Sequence, residues 1–334
     1  MNFFYFAISL GCNNEKQVGV TLVKEQMKSS AEWVAAADLD GDGFDELLVY
    51  NAGKLEIGTG KKRSLSLNSF PKLAIRSRKG SREVLYIAAG PSRANPESEL
   101  QVWKIDSERE QLLWSKPNAQ IGDLQIGAKG PYIVFSADNK LLGGWVKEGG
   151  FEPVVEERLA LRQVPFSESQ IVVGRVYGEK KRSDGDLRVF DTSSSTFKTL
   201  YSLRGIRALS TSDLNGDNKQ ELLVSDGWHF KYATEAKARI VLHQGLEDAE
   251  PRTIATFDEE YTVERIEAHP EMPVVLARAP KFGYAVVLDD LGWRAEKLAS
   301  VGDGGNVVFL NEASQVSIVT SGQPMLKYRL KPVK

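Results

Sequence analysis

From Asp38 to Val49 the chain reads Asp-Leu-Asp-Gly-Asp-Gly-Phe-Asp-Glu-Leu-Leu-Val. Acidic side chains fall at positions one, three, five and nine of this stretch: Asp38, Asp40, Asp42 and Glu46. Gly41 and Gly43 allow the sharp backbone that would make these oxygens converge. Carboxylates gathered in one turn repel one another unless a cation lies among them. Hard oxygens in this number suit calcium, which takes six to eight oxygen ligands at roughly 2.3 to 2.6 Å. The plain alternative is a solvated acidic turn.

An EF-hand loop begins the same way, but it needs a bidentate Glu at position twelve and a helix on each side. Position twelve here is Val49, inside the apolar run Leu47-Leu48-Val49, which reads as a buried strand. The stretch is therefore predicted to be a strand-to-strand turn. A second copy follows at Asp213-Leu-Asn-Gly-Asp-Asn-Lys-Gln-Glu-Leu-Leu-Val224, with Asn215 in place of Asp40 and Asn218 in place of Gly43. Asn tolerates a left-handed backbone. The lost charge at Asn215 predicts weaker calcium binding at the second loop.

The two loops resemble the calcium-binding turns of FG-GAP or VCBS-type repeats, which build seven-bladed β-propellers in integrin α-subunits and many bacterial surface proteins. Carried position by position, the resemblance implies a first site of Asp38, Asp40, Asp42, the Phe44 carbonyl and Glu46. It implies a second of Asp213, Asn215, Asp217, the Lys219 carbonyl and Glu221. It also implies that calcium there is structural.

The rest of the 334-residue chain has to hold those turns. It is all-β by pattern: short β-branched and aromatic runs separated by Gly, Asn, Asp and Ser turns, with almost no helical period. The loops lie 175 residues apart, from 38 to 213, so four units of about 44 residues separate them, a propeller-blade period. Seven units need about 308 residues, and Val18 to Leu330 supplies about that length.

Predicted blades hold strands near residues 33–67; 73–75, 83–88, 100–105 and 111–114; 122–126, 132–135, 142–146 and 151–154; 171–174, 187–190 and 199–201; the second loop, 239–243 and 253–257; 262–266, 274–277 and 284–288; and 306–310, 315–319 and 325–330. The seventh shows three strands, so residues 18–23 are expected to pair with it and close the ring. Most aromatics, including Trp103, Trp114, Phe135, Trp145, Phe190 and Phe309, are expected in the wedges between blades. Trp228 and His229, after the second loop, are candidates for a ligand surface.

Lys and Arg number 43 against 45 Asp and Glu, and the sequence pI is about 6.1. This near balance argues against a nucleic-acid binder. Basic clusters at Lys61-Lys62-Arg63, Arg76-Ser-Arg78-Lys79 and Lys180-Lys181-Arg182 read as solvated loop tips. The sole cysteine, Cys12, ends a short apolar run before a polar stretch, so no intramolecular disulfide is possible. That segment resembles the end of a bacterial lipoprotein signal peptide. The resemblance implies residues 1–12 as signal, Cys12 as the lipidated residue, 13–17 as a tether and 18–334 as one propeller domain. A secretory signal without lipidation and a simple apolar N-terminus are the alternatives.

Three histidines are too scattered to suggest a metal triad, and neither His-Glu-x-x-His nor Gly-x-Ser-x-Gly occurs. The expectation is a non-catalytic protein-binding or scaffold module, an outer-membrane lipoprotein of the bacterial envelope facing periplasm or cell surface. A carbohydrate-binding adhesin is the alternative. A polysaccharide lyase, further off, would require basic and acidic side chains clustered around the central channel.

Overall fold

The computed structural model describes residues 20–58, 63–92, 94–138, 140–158, 162–176, 184–214, 217, 219–227, 237–246, 251–269, 272–289, 292–301, 305–312 and 315–332. Cys12, the tether, Lys61, Lys62, Lys180 to Arg182, Asn215, Trp228 and His229 lie outside these residues.

Among the described residues, twenty-eight strands form seven four-stranded antiparallel sheets. The chain enters through β1 (Val20–Gln26). Blade one is β2 (Trp33–Ala37), β3 (Glu46–Asn51), β4 (Lys54–Ile57) and β5 (Arg63–Ser66). Blade two is β6 (Phe70–Lys79), β7 (Arg82–Gly90), β8 (Leu100–Ile105) and β9 (Glu110–Lys116). Blade three is β10 (Gln120–Gly127), β11 (Gly130–Ala137), β12 (Lys140–Lys147) and β13 (Gly150–Glu156). Blade four is β14 (Arg162–Pro165), β15 (Gln170–Gly174), β16 (Asp184–Asp191) and β17 (Thr196–Arg204).

Blade five is β18 (Ile206–Ser212), β19 (Glu221–Asp226), β20 (Ala238–His243) and β21 (Arg252–Phe257). Blade six is β22 (Arg265–Ala268), β23 (Val274–Arg278), β24 (Phe282–Asp289) and β25 (Gly292–Ser300). Blade seven is β26 (Val307–Glu312), β27 (Gln315–Thr320), β28 (Leu326–Pro332) and, outermost, β1. β1 pairs antiparallel with β28 from Val20 opposite Pro332 to Gln26 opposite Leu326, which closes a seven-bladed β-propeller.

Seven hydrophobic clusters account for the seven wedges between blades. Between blades one and two lie Trp33, Leu48, Leu55, Leu85 and Ile87; between blades seven and one lie Val34, Ala36, Val308 and Val319. Strands sandwiched on both faces read as continuous apolar runs instead of alternating ones. All of Trp33 to Ala37 is buried, and small alanines fit where blades converge on the axis. Trp103, Trp114, Phe135, Trp145, Phe190 and Phe309 each pack into one of these wedges, as expected.

In two of the basic clusters one arginine is not at a loop tip, whereas Arg78 and Lys79 are exposed beside the β6–β7 turn as the sequence suggested. Arg76 lies in β6, its side chain 17% exposed, and Arg63 lies in β5, donating to the Asp106 carbonyl at 2.6 Å. Both are strand residues whose partners, Asp45 and Asp106, sit in turns distant in sequence, and a local reading of charge runs cannot see those partners.

Candidate metal loops and the axial channel

In each blade the turn after the innermost strand emerges on the same face of the ring, because every blade starts at the axis and meanders outward. The two acidic loops are this turn in blade one, between β2 and β3, and in blade five, between β18 and β19. In the first, Asp38 accepts from the Gly41 amide at 2.8 Å and the Gly43 amide at 3.0 Å. Asp42 accepts from the Phe44 amide at 2.8 Å, and Glu46 accepts from the Leu39 amide at 2.7 Å. Gly41 and Gly43 have φ of 83° and 88°, which confirms the need for glycine at both.

The second loop repeats this wiring. Glu221 accepts from the Leu214 amide at 2.6 Å and Asp217 from the Lys219 amide at 2.8 Å, each bond being the counterpart of one in the first loop. Asp38, Asp40 and Asp42 each bring a carboxylate oxygen within 4.8 Å of the other two; Asp213, Asp217 and Glu221 do the same. Burial, and then the charges of Asp40, Asp38 and Asp42, push the Glu46 carboxyl up to about 7. A divalent cation would relieve that crowding, so the donor set fits calcium.

The first loop is also tied to its neighbours. Glu83 accepts from the Asp38 amide at 3.1 Å, and Arg76 donates to Asp45 at 3.1 Å. Asp45 in turn accepts from the Asn311 amide of blade seven at 2.7 Å. One turn therefore links blades one, two and seven. His269 is buried against Asn311 Oδ1 at 3.3 Å, and burial lowers its pKa to about 4, so it is neutral at pH 7.

With this geometry in place, the comparison with known families is decisive for one segment. Residues 30–59 match the FG-GAP repeat. The FG-GAP segment spans β2, the first acidic loop, β3 and β4. No curated protein matches the chain in sequence. A chain in the structure of the yeast heterotrimeric Nup82-Nup159-Nup116 nucleoporin complex is similar over 90% of this chain and 97% of that one, with a TM-score of 0.55 and 7% identity. At that identity the likeness shows the propeller fold alone.

Sequence reasoning assigned no residues to the central channel. It widens to about 320 Å³, lined by Lys72, Asp123, Arg162, Glu264, Arg265 and Glu267 among others. Arg162 donates to the carbonyls of Arg207, at 2.5 Å, and Gly122. Arg265 of blade six reaches across the axis to the Ala74 carbonyl of blade two. Gln125 of blade three donates to the Leu209 carbonyl of blade five at 3.2 Å. A signal existed: charged residues standing inside runs that otherwise read as innermost strands.

Proposed function

We infer that this chain is a non-catalytic protein-binding or scaffold module of the bacterial cell envelope, stiffened by structural calcium and anchored through Cys12. The observation that carries the reading is the matched wiring of the two acidic loops, which puts two carboxylate-rich turns on one face of a closed ring. A rigid ring presents many turns at once, which suits protein recognition, although fold alone does not fix function. Phe44 at the tip of the first loop is 47% exposed, an apolar anchor on that same face. The lipoprotein-like segment at residues 1–12 supports the envelope assignment.

The test is capture of partners by C-terminally tagged protein from gently solubilised native membranes in calcium buffer, beside Cys12→Ser and Phe44→Ala. The expected result is a stoichiometric protein partner, lost with Cys12→Ser and weakened with Phe44→Ala. Retention on cell-wall or extracellular polysaccharide with no protein partner would overturn the reading in favour of the adhesin. One observation favours a second reading: the channel does hold the mixed acidic and basic side chains that a polysaccharide lyase would need. Release of unsaturated uronate products from polyuronates by the purified chain would establish it.

A further inference from the structure

Three innermost strands carry a bulge where they line the channel. The register skips Lys72 in β6, Gly122 in β10 and Arg207 in β18. Bulges re-aim side chains and gather beside functional sites, and these three surround one cavity. The Gly122 and Arg207 carbonyls hold Arg162, while the residue after Gly122 is Asp123, 9% exposed.

Asp123 uses one carboxylate oxygen, which accepts from the Leu124 amide at 2.9 Å and from Gln125 at 3.2 Å. Its Oδ2 is buried with no hydrogen-bond partner. Arg265 shows the converse: Nη2 is engaged with Ala74 and lies 3.7 Å from Glu267, while Nη1 is buried with no partner. Native structures satisfy nearly all buried polar atoms, so each exception calls for a physical explanation. Here one acceptor and one donor of opposite charge line the same cavity.

The remaining lining narrows the chemistry. Leu73, Ile75 and Ile121 are partly exposed and apolar, and among the described residues no aromatic ring lines the cavity on which a sugar could stack. We propose that the axial channel binds a free α-amino acid with an aliphatic side chain, its ammonium group on Asp123, its carboxylate on Arg265 and its side chain against Leu73, Ile75 and Ile121. The site is independent of the calcium loops and of any protein partner.

The experiment is calorimetric titration of the full chain with each of the twenty common L-amino acids at millimolar concentration, with glucose as the neutral polyol control. Leucine, isoleucine or valine is expected to saturate one site. The same carbon skeleton lacking only the amine, 4-methylpentanoate, or only the carboxylate, 3-methylbutylamine, should bind ~30-fold more weakly or worse, since each forgoes one of the two charge-assisted hydrogen bonds. Asp123→Asn and Arg265→Gln should each cause a comparable loss with an unchanged far-ultraviolet circular dichroism spectrum. Absence of saturable binding by every amino acid, equal binding of the truncated analogues, or binding of glucose instead would overturn the proposal. The analogue series decides the matter even if a variant does not fold.

Discussion

At Asp123, burial works against charge. Desolvation raises its carboxyl from 3.8 to about 6, and the opposing pull of Arg162, Arg265, Leu124 and Gln125 does not cancel it. The folded state therefore binds this proton more tightly than the unfolded chain does. The favourable contribution is complete below about pH 3.8 and is lost as pH rises through about 6. A shift of this size is worth ~3 kcal/mol. Asp123→Asn should consequently be more stable than wild type at pH 8, by up to ~3 kcal/mol, with the gap narrowing towards pH 4. Urea melts at the two pH values check this; a variant less stable at pH 8 would mean that the arginines hold the charge. At the loops, removing Asp38 should abolish calcium binding in blade one, because it orders two amides of the turn. Asn215→Asp should tighten the second site ~10-fold by restoring a charge beside the cation, and calorimetry showing equal affinity before and after would refute it. The acidic loops were legible because their carboxylates are contiguous in sequence. Asp123 was not, because the groups around it come from blades three, four and six and only closure brings them together.

Strands were legible in proportion to how apolar they are. The predicted segments of blades one to three coincide with the observed ones, and the sequence pattern missed β14, β18 and β25 for physical reasons. β14 is four residues, Arg-Gln-Val-Pro, with its charge on the axis. β18 ends in Ser-Thr-Ser, polar residues facing the second loop, and β25 is an outer edge strand laced with Arg, Glu and Lys, as exposed edges are. Close packing between strands makes two glycines sensitive. A Cβ at Gly143 would fall 1.9 Å from Gln163 Oε1 and 2.4 Å from the Tyr132 hydroxyl, which together form a buried hydrogen bond of 2.7 Å. Gly143→Ala should cost ~2 kcal/mol or more in blade three. At Gly41, φ of +83° and a Cβ contact of 2.8 Å with Arg82 both oppose a side chain. Gly41→Ala should lower both stability, by ~1–3 kcal/mol, and calcium affinity, whereas Gly43→Ala, with open space around it, should suffer only the backbone strain. Thermal melts with and without calcium separate the two effects.

Over the whole molecule, the proposed calcium and the closing strand would act on the same ring. A cation that binds only the folded form stabilises it by ~2.7 kcal/mol at a hundredfold excess over its dissociation constant. Chelation should therefore lower the melting temperature in one cooperative transition, and an unchanged melting temperature would rule structural calcium out. Deleting residues up to Gln26 removes the seven-residue ladder to β28, the Glu25–Arg329 ion pair at 2.9 Å and the donation of Arg294 to the Val20 carbonyl at 3.1 Å. The uncovered β28 edge should then drive self-association, visible by size-exclusion chromatography, while addition of a peptide of residues 18–27 restores the monomer. The β1–β28 pairing also imposes an order in time. Its partners lie about 300 residues apart, among the most distant contacts the chain can make. During synthesis, blades one to six can stack as a growing horseshoe, yet β1 has nothing to pair with until the ribosome has released residues 326–332. A stalled or clipped chain keeps both ends of the horseshoe unpaired. β1 thus waits for its partner while about 300 further residues are made.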